Sequence, residues 1–212
     1  MKAILFINGD APTQIPHWEG FDMVACTDGA LHYLLKLNFP VEKLDFISGD
    51  FDSHIGEHIE IDEKKFIPTP DQSQTDFHKA LAILMEKGVK EVQVYGASGG
   101  EQDHFLGNLT TVYQFKKDLD IRLFDEYSHY FFLDKKHQLR DVKHKMISLY
   151  PFPFAENITT KGLHWDLKGQ NLSLTEKIST RNYADANTVD IQFEKGEVLV
   201  FIGKKNYNQN EK

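Results

Sequence analysis

The chain has a single cysteine, Cys26, among 212 residues, so no internal disulfide can staple it and no oxidising compartment is implied. Long apolar runs are absent. The opening "MKAILFINGD" carries one lysine and a five-residue apolar run, too short for the core of a signal peptide and far too short to span a bilayer. It is expected to be a first buried strand, and the protein to be cytoplasmic. Positive charge is scarce as well: 24 Lys and Arg stand against 32 Asp and Glu, a net charge of −8. That balance argues against a protein that coats nucleic acid or anionic membrane, since both need clustered cations. A small phosphorylated ligand stays open, because a metal ion can meet its charge.

Two familiar catalytic patterns are also missing. No G-x-S-x-G elbow occurs, and Cys26 falls inside a predicted buried strand, a poor place for a nucleophilic thiol. The ten histidines are scattered except for "HIGEH", His54 to His58, which matches the H-x-x-E-H pattern of some zinc peptidases. That pattern needs both imidazoles on one helix face, yet Gly56 sits inside it and costs about 1 kcal/mol in a helix. The flanking "SHIGEHIEIDEKK" reads as a linker, so zinc is rejected here.

What is present is a hydrophobic fraction of 41%, ordinary for a soluble chain of this size and enough for a sizeable core. Short apolar runs without clean alternation, as in parallel strands covered on both faces, occur at Ala3–Ile7, Met23–Thr27, Leu44–Ser48, Glu91–Tyr95 and Ile121–Phe124. Helical spacing lies between several of them: Leu31, Leu34 and Leu35; Phe77, Leu81 and Leu84; Leu106, Leu109 and Tyr113. Strands alternating with helices predict an α/β N-terminal domain, residues 1–127, with a mostly parallel sheet flanked by helices. Beyond it the helical periodicity stops and short strand-like pieces follow. Among these "TVDIQF-EKGE-VLVFI" reads as a hairpin. A C-terminal all-β domain, 128–212, is expected.

The strand ends carry the chemistry. "NGD", "DGA", "GDFDS" and "GASGG" each follow a predicted strand, and ligands of open α/β sheets bind outside the carboxyl ends of the strands. In "SGDFDS" an extended backbone points Asp50 and Asp52 to the same side, about 6.6 Å apart along the strand. Like charges about 4 Å apart repel by about 4 kcal/mol at an effective dielectric near 20, so a cation or a wet edge must make such pairs tolerable. Two carboxylates so placed can grip Mg²⁺; equally, Gly-Asp and Asp-Ser are common turn residues. Thr75 and Asp76 in "TPDQSQTDFHKAL", and Asp28 before the first helix, can be metal or phosphate contacts or plain helix caps. "GASGGEQDHFLGN" is a glycine-rich turn between strand and helix, a place where backbone amides hold phosphate, although it is neither G-x-G-x-x-G nor a Walker A sequence. Asp103 within it can also be only a cap.

In order along nearly the whole chain, "DGA…LDFISGDFDS…TPDQSQTDFHKAL…GASGGEQDHFLGN" followed by "GLHWDL" and "STRN" resembles the thiamine pyrophosphokinase (thiamine diphosphokinase) family. The combination is specific where any one motif is not. The resemblance implies an α/β domain, a C-terminal β-sandwich and a homodimer with active sites between subunits. It also implies transfer of a pyrophosphoryl group from ATP to thiamine with Mg²⁺. By that likeness Asp28, Asp50, Asp52 and Asp76 fall on metal and phosphate positions, with Asp50, Asp52 and Asp76 as the catalytic carboxylates. Gln72, Thr75, Gly99, Gly100, Asp103 and Asn108 fall with Asp28 on the nucleotide side. Ser179, Arg181 and Asn182 fall on the thiamine side, with Trp165 or Tyr183 over the ring. Two departures stand out: Ser73 where the family commonly has an acid, and Glu101 where a basic residue is common, with Lys79 and Arg181 as candidate replacements for the lost phosphate contact. A pyrophosphokinase acting on another alcohol such as a pterin, and a non-catalytic nucleotide- or thiamine-binding module, are the rival readings.

Overall fold

The computed structural model describes residues 1–51 and 61–207. By internal contacts the chain divides into two compact units, Met1–Asp125 and Glu126–Lys212.

In the first unit, strands β1 (Lys2–Phe6), β2 (Met23–Thr27), β3 (Phe46–Gly49), β4 (Phe66–Pro68), β5 (Glu91–Tyr95) and β6 (Asp120–Phe124) are joined by helices α1 (Asp28–Lys36), α2 (Asp76–Glu86) and α3 (Gln102–Phe115). The strands run in the order β4-β3-β2-β1-β5-β6, and every pair along it is parallel. In β1, Ala3, Ile4, Leu5 and Phe6 are all fully buried, which explains why the strand shows no polar alternation. α1 packs through Leu31 and Leu34 into a cluster with Ile4, Phe6, Val24, Cys26 and Ile47. α2 also packs against β2 and β3, yet its buried Phe77, Leu81 and Leu84 belong to no part of that cluster, so it meets the alternate side chains of the sheet.

Two expectations are corrected in this unit, and one strand, β4, is added. β3 begins at Phe46 rather than Leu44: the Asp45 amide still donates to the Val24 carbonyl at 2.7 Å, but the Val24 amide bonds the Asp45 carboxylate, at 2.7 Å, instead of a backbone carbonyl. β4 carried too short a run, three residues ending in proline, to register as a strand. In α3 the stripe through Leu106 and Tyr113 is exposed (61% and 41%), whereas Leu109, Val112 and Phe115 are buried. Phe115 turns toward α2, where its ring meets His78 edge-on at 4.8 Å.

The second unit is all β: β7 (Ser128–Phe132), β8 (Lys136–Arg140), β9 (Lys145–Lys161), β10 (Lys168–Ser173), β11 (Ser179–Tyr183), β12 (Thr188–Gln192) and β13 (Lys195–Asn206). Its organiser is β9, whose 17 residues pair with β11 and β13 in the first half and with β10 and β12 in the second. All of these pairings are antiparallel, and Ile147, Leu149, Leu172, Val189, Ile191, Val200 and Ile202 meet in one core. The predicted hairpin of β12 and β13 does not form. β12 bonds to β8 and β9, β13 to β7 and β9, so β9 lies between the two arms. At the turn, Gly196 (φ 77°) has its α-carbon so close to the strand that a β-carbon there would stand 1.9 Å from the Phe154 carbonyl oxygen. The chain crosses over a neighbour there instead of folding back on itself.

Candidate active site

The strand order reverses between β1 and β5: the chain works outward from β1 to β4, then returns to the other side of β1. Such a switch point leaves a crevice at the carboxyl ends of the two strands. Here a cleft of about 670 Å³ opens there, with Ile7, Asn8 and Gly9 after β1 and Ala97, Gly99 and Gly100 after β5 on its walls. Thr27 and Asp28 come from the end of β2, and the loop before α2 and the first turns of α3 complete the lining. Its size suits a nucleotide-sized ligand.

Asp28 is the most buried of the cleft acids, 9% exposed. Its Oδ1 accepts the Gly29 amide at 2.7 Å and its Oδ2 the Phe51 amide at 3.2 Å. Phe51 reaches it with φ 57°, a left-handed conformation that costs a branched backbone about 1–2 kcal/mol. Gly49 makes room: a β-carbon there would lie 2.1 Å from Asp28 Oδ2. The glycine of "SGD" is thus set by the neighbouring acid. Asp50 accepts a hydrogen bond from Gln72 Nε2 at 3.0 Å, although Asp50 itself is not among the residues lining the cleft. Asp52 lies outside the described residues, as do His54 and His58 of the "HIGEH" stretch.

Thr75 is the N-cap of α2, its Oγ1 accepting the His78 amide at 3.2 Å, while Asp76 in the first turn pairs with Lys79 Nζ at 2.8 Å. Both also face the cleft, with Gln72. Ser73, the departure from the expected acid, donates its amide to Asp71 Oδ1 at 2.8 Å. That amide bond, with a second from the Ser73 side chain, holds the exposed Asp71 carboxyl below the usual aspartate range.

Across the cleft, Gly99 (φ 80°) and Gly100 (φ 63°) turn the chain into α3, and Asn108 Nδ2 ties the helix back to that turn through the Ala97 carbonyl at 2.9 Å. The amides at the start of α3 carry the positive end of the helix dipole, which favours an anion. Glu101 and Asp103 stand at this end, and His104 Nε2 lies 3.5 Å from Glu101 Oε2. A β-carbon on Gly99 would strike the Asp10 carboxylate at 2.0 Å.

Asp28, Gln72, Thr75, Asp76, Gly99, Gly100, Asp103 and Asn108 therefore meet in one cleft, as do Ser73, Lys79 and Glu101. Asn8, Thr27 and His104 line it too, and sequence reasoning passed over them. Asn8 follows "AILFI" directly, and that strand-end position was the available signal.

The thiamine-side candidates lie in the second unit. Trp165 is 57% exposed, while Tyr183 is buried and stacked between His164 and Tyr207 at 4.5 Å from each. Asn182 is also buried. Its Nδ2 donates to the Trp165 carbonyl at 2.8 Å and its Oδ1 accepts the amides of Trp165 (3.2 Å) and Tyr183 (2.9 Å). Asp166 fixes the same turn, accepting from Thr160 Oγ1 and the Leu163 amide, both at 3.0 Å. The Trp165 indole is thus more than half exposed, its edge-to-face contacts being with His164 at 4.6 Å and Tyr183 at 5.6 Å. Ser179, half-exposed, pairs with Leu149 on β9. Arg181, at φ 57° with its amide on Ser148 Oγ, lines a separate hollow of about 560 Å³ with Tyr127, Tyr150, Lys205 and Tyr207.

An acid-lined crevice at the switch point of a parallel sheet, beside a glycine turn and a helix N-terminus, defines an α/β protein suited to a polyanion and its counter-cation. Comparison with known proteins narrows this. The family model for the thiamin pyrophosphokinase catalytic domain matches residues 16–124, and that for the thiamin pyrophosphokinase vitamin B1 binding domain matches 129–198. The chain is 30% identical to thiamine pyrophosphokinase 1 of Oryza sativa subsp. japonica, over 89% of this chain and 82% of that protein. It is 28% identical to thiamine pyrophosphokinase of Bacillus subtilis (strain 168), over 95% and 98%. In fold it is similar to thiamin pyrophosphokinase from Geobacillus thermodenitrificans, with a TM-score of 0.79 at 18% identity, covering 99% of both chains. The chain belongs to the thiamine pyrophosphokinase family.

Proposed function

We propose that this protein is a thiamine diphosphokinase, converting ATP and thiamine to AMP and thiamine diphosphate. The observation that carries the reading is the convergence of Asp28, Asp76, Gln72 and the Gly99-Gly100 turn, from three separate loops, on one switch-point cleft. The proposed division of labour gives residues 1–127 to nucleotide and metal, under a sheet flanked by helices. Residues 128–212, as a β-sandwich, serve thiamine binding and dimerisation.

Carboxylate oxygens are hard donors of the kind Mg²⁺ takes, and Asp28 and Asp76 on the cleft wall supply such donors. Asp28, Asp50, Asp52 and Asp76 would hold the ion, which when bound offsets the charge of acids and phosphates together. The protein's own contribution is positioning. Gln72, Thr75, Asp103 and Asn108 frame the nucleotide, and the amides of the Gly99-Gly100 turn face its phosphates. The thiamine hydroxyl attacks the β-phosphorus, the bond from that phosphorus to the oxygen shared with the α-phosphate breaks, and AMP departs. The hydroxyl proton passes to one of the carboxylates of Asp50, Asp52 and Asp76. Of the two aromatic candidates, Trp165 has the accessible face, and a cationic thiazolium suits it. Ser179, Arg181, Asn182 and Tyr183 support that side, Asn182 by bonding the Trp165 backbone on both sides.

From the likeness to the thiamine pyrophosphokinase family we infer a homodimer in which active sites form between subunits. Among the described residues no helix is long and apolar enough to cross a membrane, and the reading places the enzyme with its ATP in the cytoplasm. The test is to incubate pure protein with ATP, Mg²⁺ and thiamine, then quantify AMP and thiamine diphosphate. AMP formed only with a pterin acceptor would move the assignment to another pyrophosphokinase, and thiamine binding without AMP would make it a binding module. Mixing Asp76→Asn chains with Trp165→Ala chains, assayed at thiamine well below the raised KM of the latter, should restore activity if each site draws on both subunits; no recovery would reject the shared site.

A further inference from the structure

We propose that Lys79 is the positioning residue of the cleft: it clamps the loop 69–75 onto α2 and thereby sets where Asp76 and Gln72 stand. For its activity arm the inference rests on the diphosphokinase reading; its structural arm does not.

An ammonium group has three N–H donors and no acceptor. Those of Lys79 meet three oxygens: the Thr69 carbonyl at 2.7 Å, the Asp71 carbonyl at 3.1 Å and Asp76 Oδ1 at 2.8 Å. The Lys79 side chain is 12% exposed, so its end of these charge-assisted bonds is largely shielded from water, although Asp76 is 41% exposed. One acceptor stands at the start of the loop, one in its middle and one just past its end. The remaining bonds make the loop a link in a chain. Thr69 donates its amide to the Gly49 carbonyl at 2.9 Å, Gln72 reaches Asp50, and Thr75 caps α2. Pulling on Lys79 therefore pulls on the ends of both β3 and α2.

The saturation of Nζ decides between two roles. A lysine lining a phosphate cleft is naturally taken as a direct phosphate contact, replacing the basic residue absent at Glu101. Here three protein oxygens already use its protons, so it acts through the loop. It also places one positive charge beside Asp76 in a strongly acidic site, which tempers carboxylate repulsion before any cation arrives.

Two measurements test this with Lys79→Met, Lys79→Gln and Lys79→Arg. In metal-free protein, amide hydrogen exchange of segment 70–75 should quicken by about tenfold or more in the Met and Gln variants, while the body of α2 stays protected. In the transfer assay, the Mg²⁺ concentration for half-maximal rate should rise by about 10–100-fold, as for loss of other residues that support metal ligands. The thiamine KM should stay near wild type. The Arg variant, which keeps charge and several donors, should fall between. Unchanged loop exchange in Lys79→Met would overturn the proposal, and so would lost ATP affinity with the loop still protected, the mark of direct phosphate contact. If the Met variant unfolds globally, Lys79→Gln is read the same way. A wild-type protein without transfer activity would sink the diphosphokinase reading, while the exchange data would still decide the role of Lys79.

Discussion

Gly49→Ala is the sharpest perturbation the cleft offers. The added methyl would stand 2.1 Å from Asp28 Oδ2 and 2.2 Å from its Cγ, against a closest tolerable approach of 3.0 Å. The carboxylate must therefore retreat by about 1 Å, and a misplacement of about 1 Å in a positioned group costs about 100-fold in rate. Retreat also breaks or stretches its bonds from the Gly29 and Phe51 amides. Bonds to a charged acceptor contribute about 1.5–3 kcal/mol each, so partial loss of two predicts about 2–4 kcal/mol of destabilisation. In a chain of this length that lowers Tm by about 4–16 °C. Calorimetry and the AMP assay read the two effects separately. Gly88→Ala is the control: at φ 85° with nothing within 4 Å, it carries backbone strain alone and should leave activity intact. In the Gly49→Ala background, Asp28→Ser removes the clash together with the carboxylate's two amide bonds, so it should lower Tm little further and restore no activity. Gly49→Ala protein with near-normal Tm and turnover would show that the Asp28 carboxylate is neither tightly held nor needed.

Asp76→Asn should cut turnover by at least about 100-fold with a stability change near 1 kcal/mol, since Thr75 still caps α2; a stability loss with normal activity would make Asp76 a first-turn residue only. Trp165→Ala should leave Tm within about 2 °C, because the indole is 57% exposed, and raise the thiamine KM with little change in the ATP KM. A large fall in Tm would instead make Trp165 a packing residue. Cys26 is fully buried, and burial pushes its thiol well up. Its folded pKa exceeds the unfolded one, so its contribution to stability is complete below the unfolded value of about 8.5 and is lost as pH rises above it. Iodoacetamide at pH 8 should accordingly label Cys26 only through unfolding, at a rate that ATP with Mg²⁺ slows; rapid labelling of native protein would contradict the burial.

The parts of the fold that were legible are those whose side chains announce burial. β1 and β2 are near-continuous apolar runs, and β5 and β6 bury Val92, Val94, Ile121 and Leu123 at every second position, patterns that leave a strand few alternatives. β4 was invisible because its three residues pair with β3 at the edge, and Pro68 hides even that. The misread hairpin has a different cause. The alternation in "TVDIQF" correctly reports a strand with one buried face, but it says nothing about which strand lies beside it. β9 is long enough to accept β12 at one end and β13 along the rest, and only the assembled chain reveals that it takes the place between them.

For the site, the sequence disclosed residue types but not their division of labour. Asp28, Asp76 and the Gly99-Gly100 turn could be picked out because acids and glycines recur after strands. Thr75 turned out to be both cap and cleft wall, two roles that a linear pattern cannot separate. Trp165 and Tyr183 looked equivalent, as aromatic residues in one stretch of β structure. Asn182 and Asp166 make them unlike: their bonds fix a turn that turns one ring outward, while His164 and Tyr207 cover the other. Lys79 is the clearest case. As a letter it is a cation three residues after an aspartate, an unremarkable helix pair. Its meaning lies in the Thr69 and Asp71 carbonyls, backbone atoms that every residue possesses and no composition records. A charge's function is set by which acceptors reach it first, and here the loop reaches Lys79 before any phosphate can.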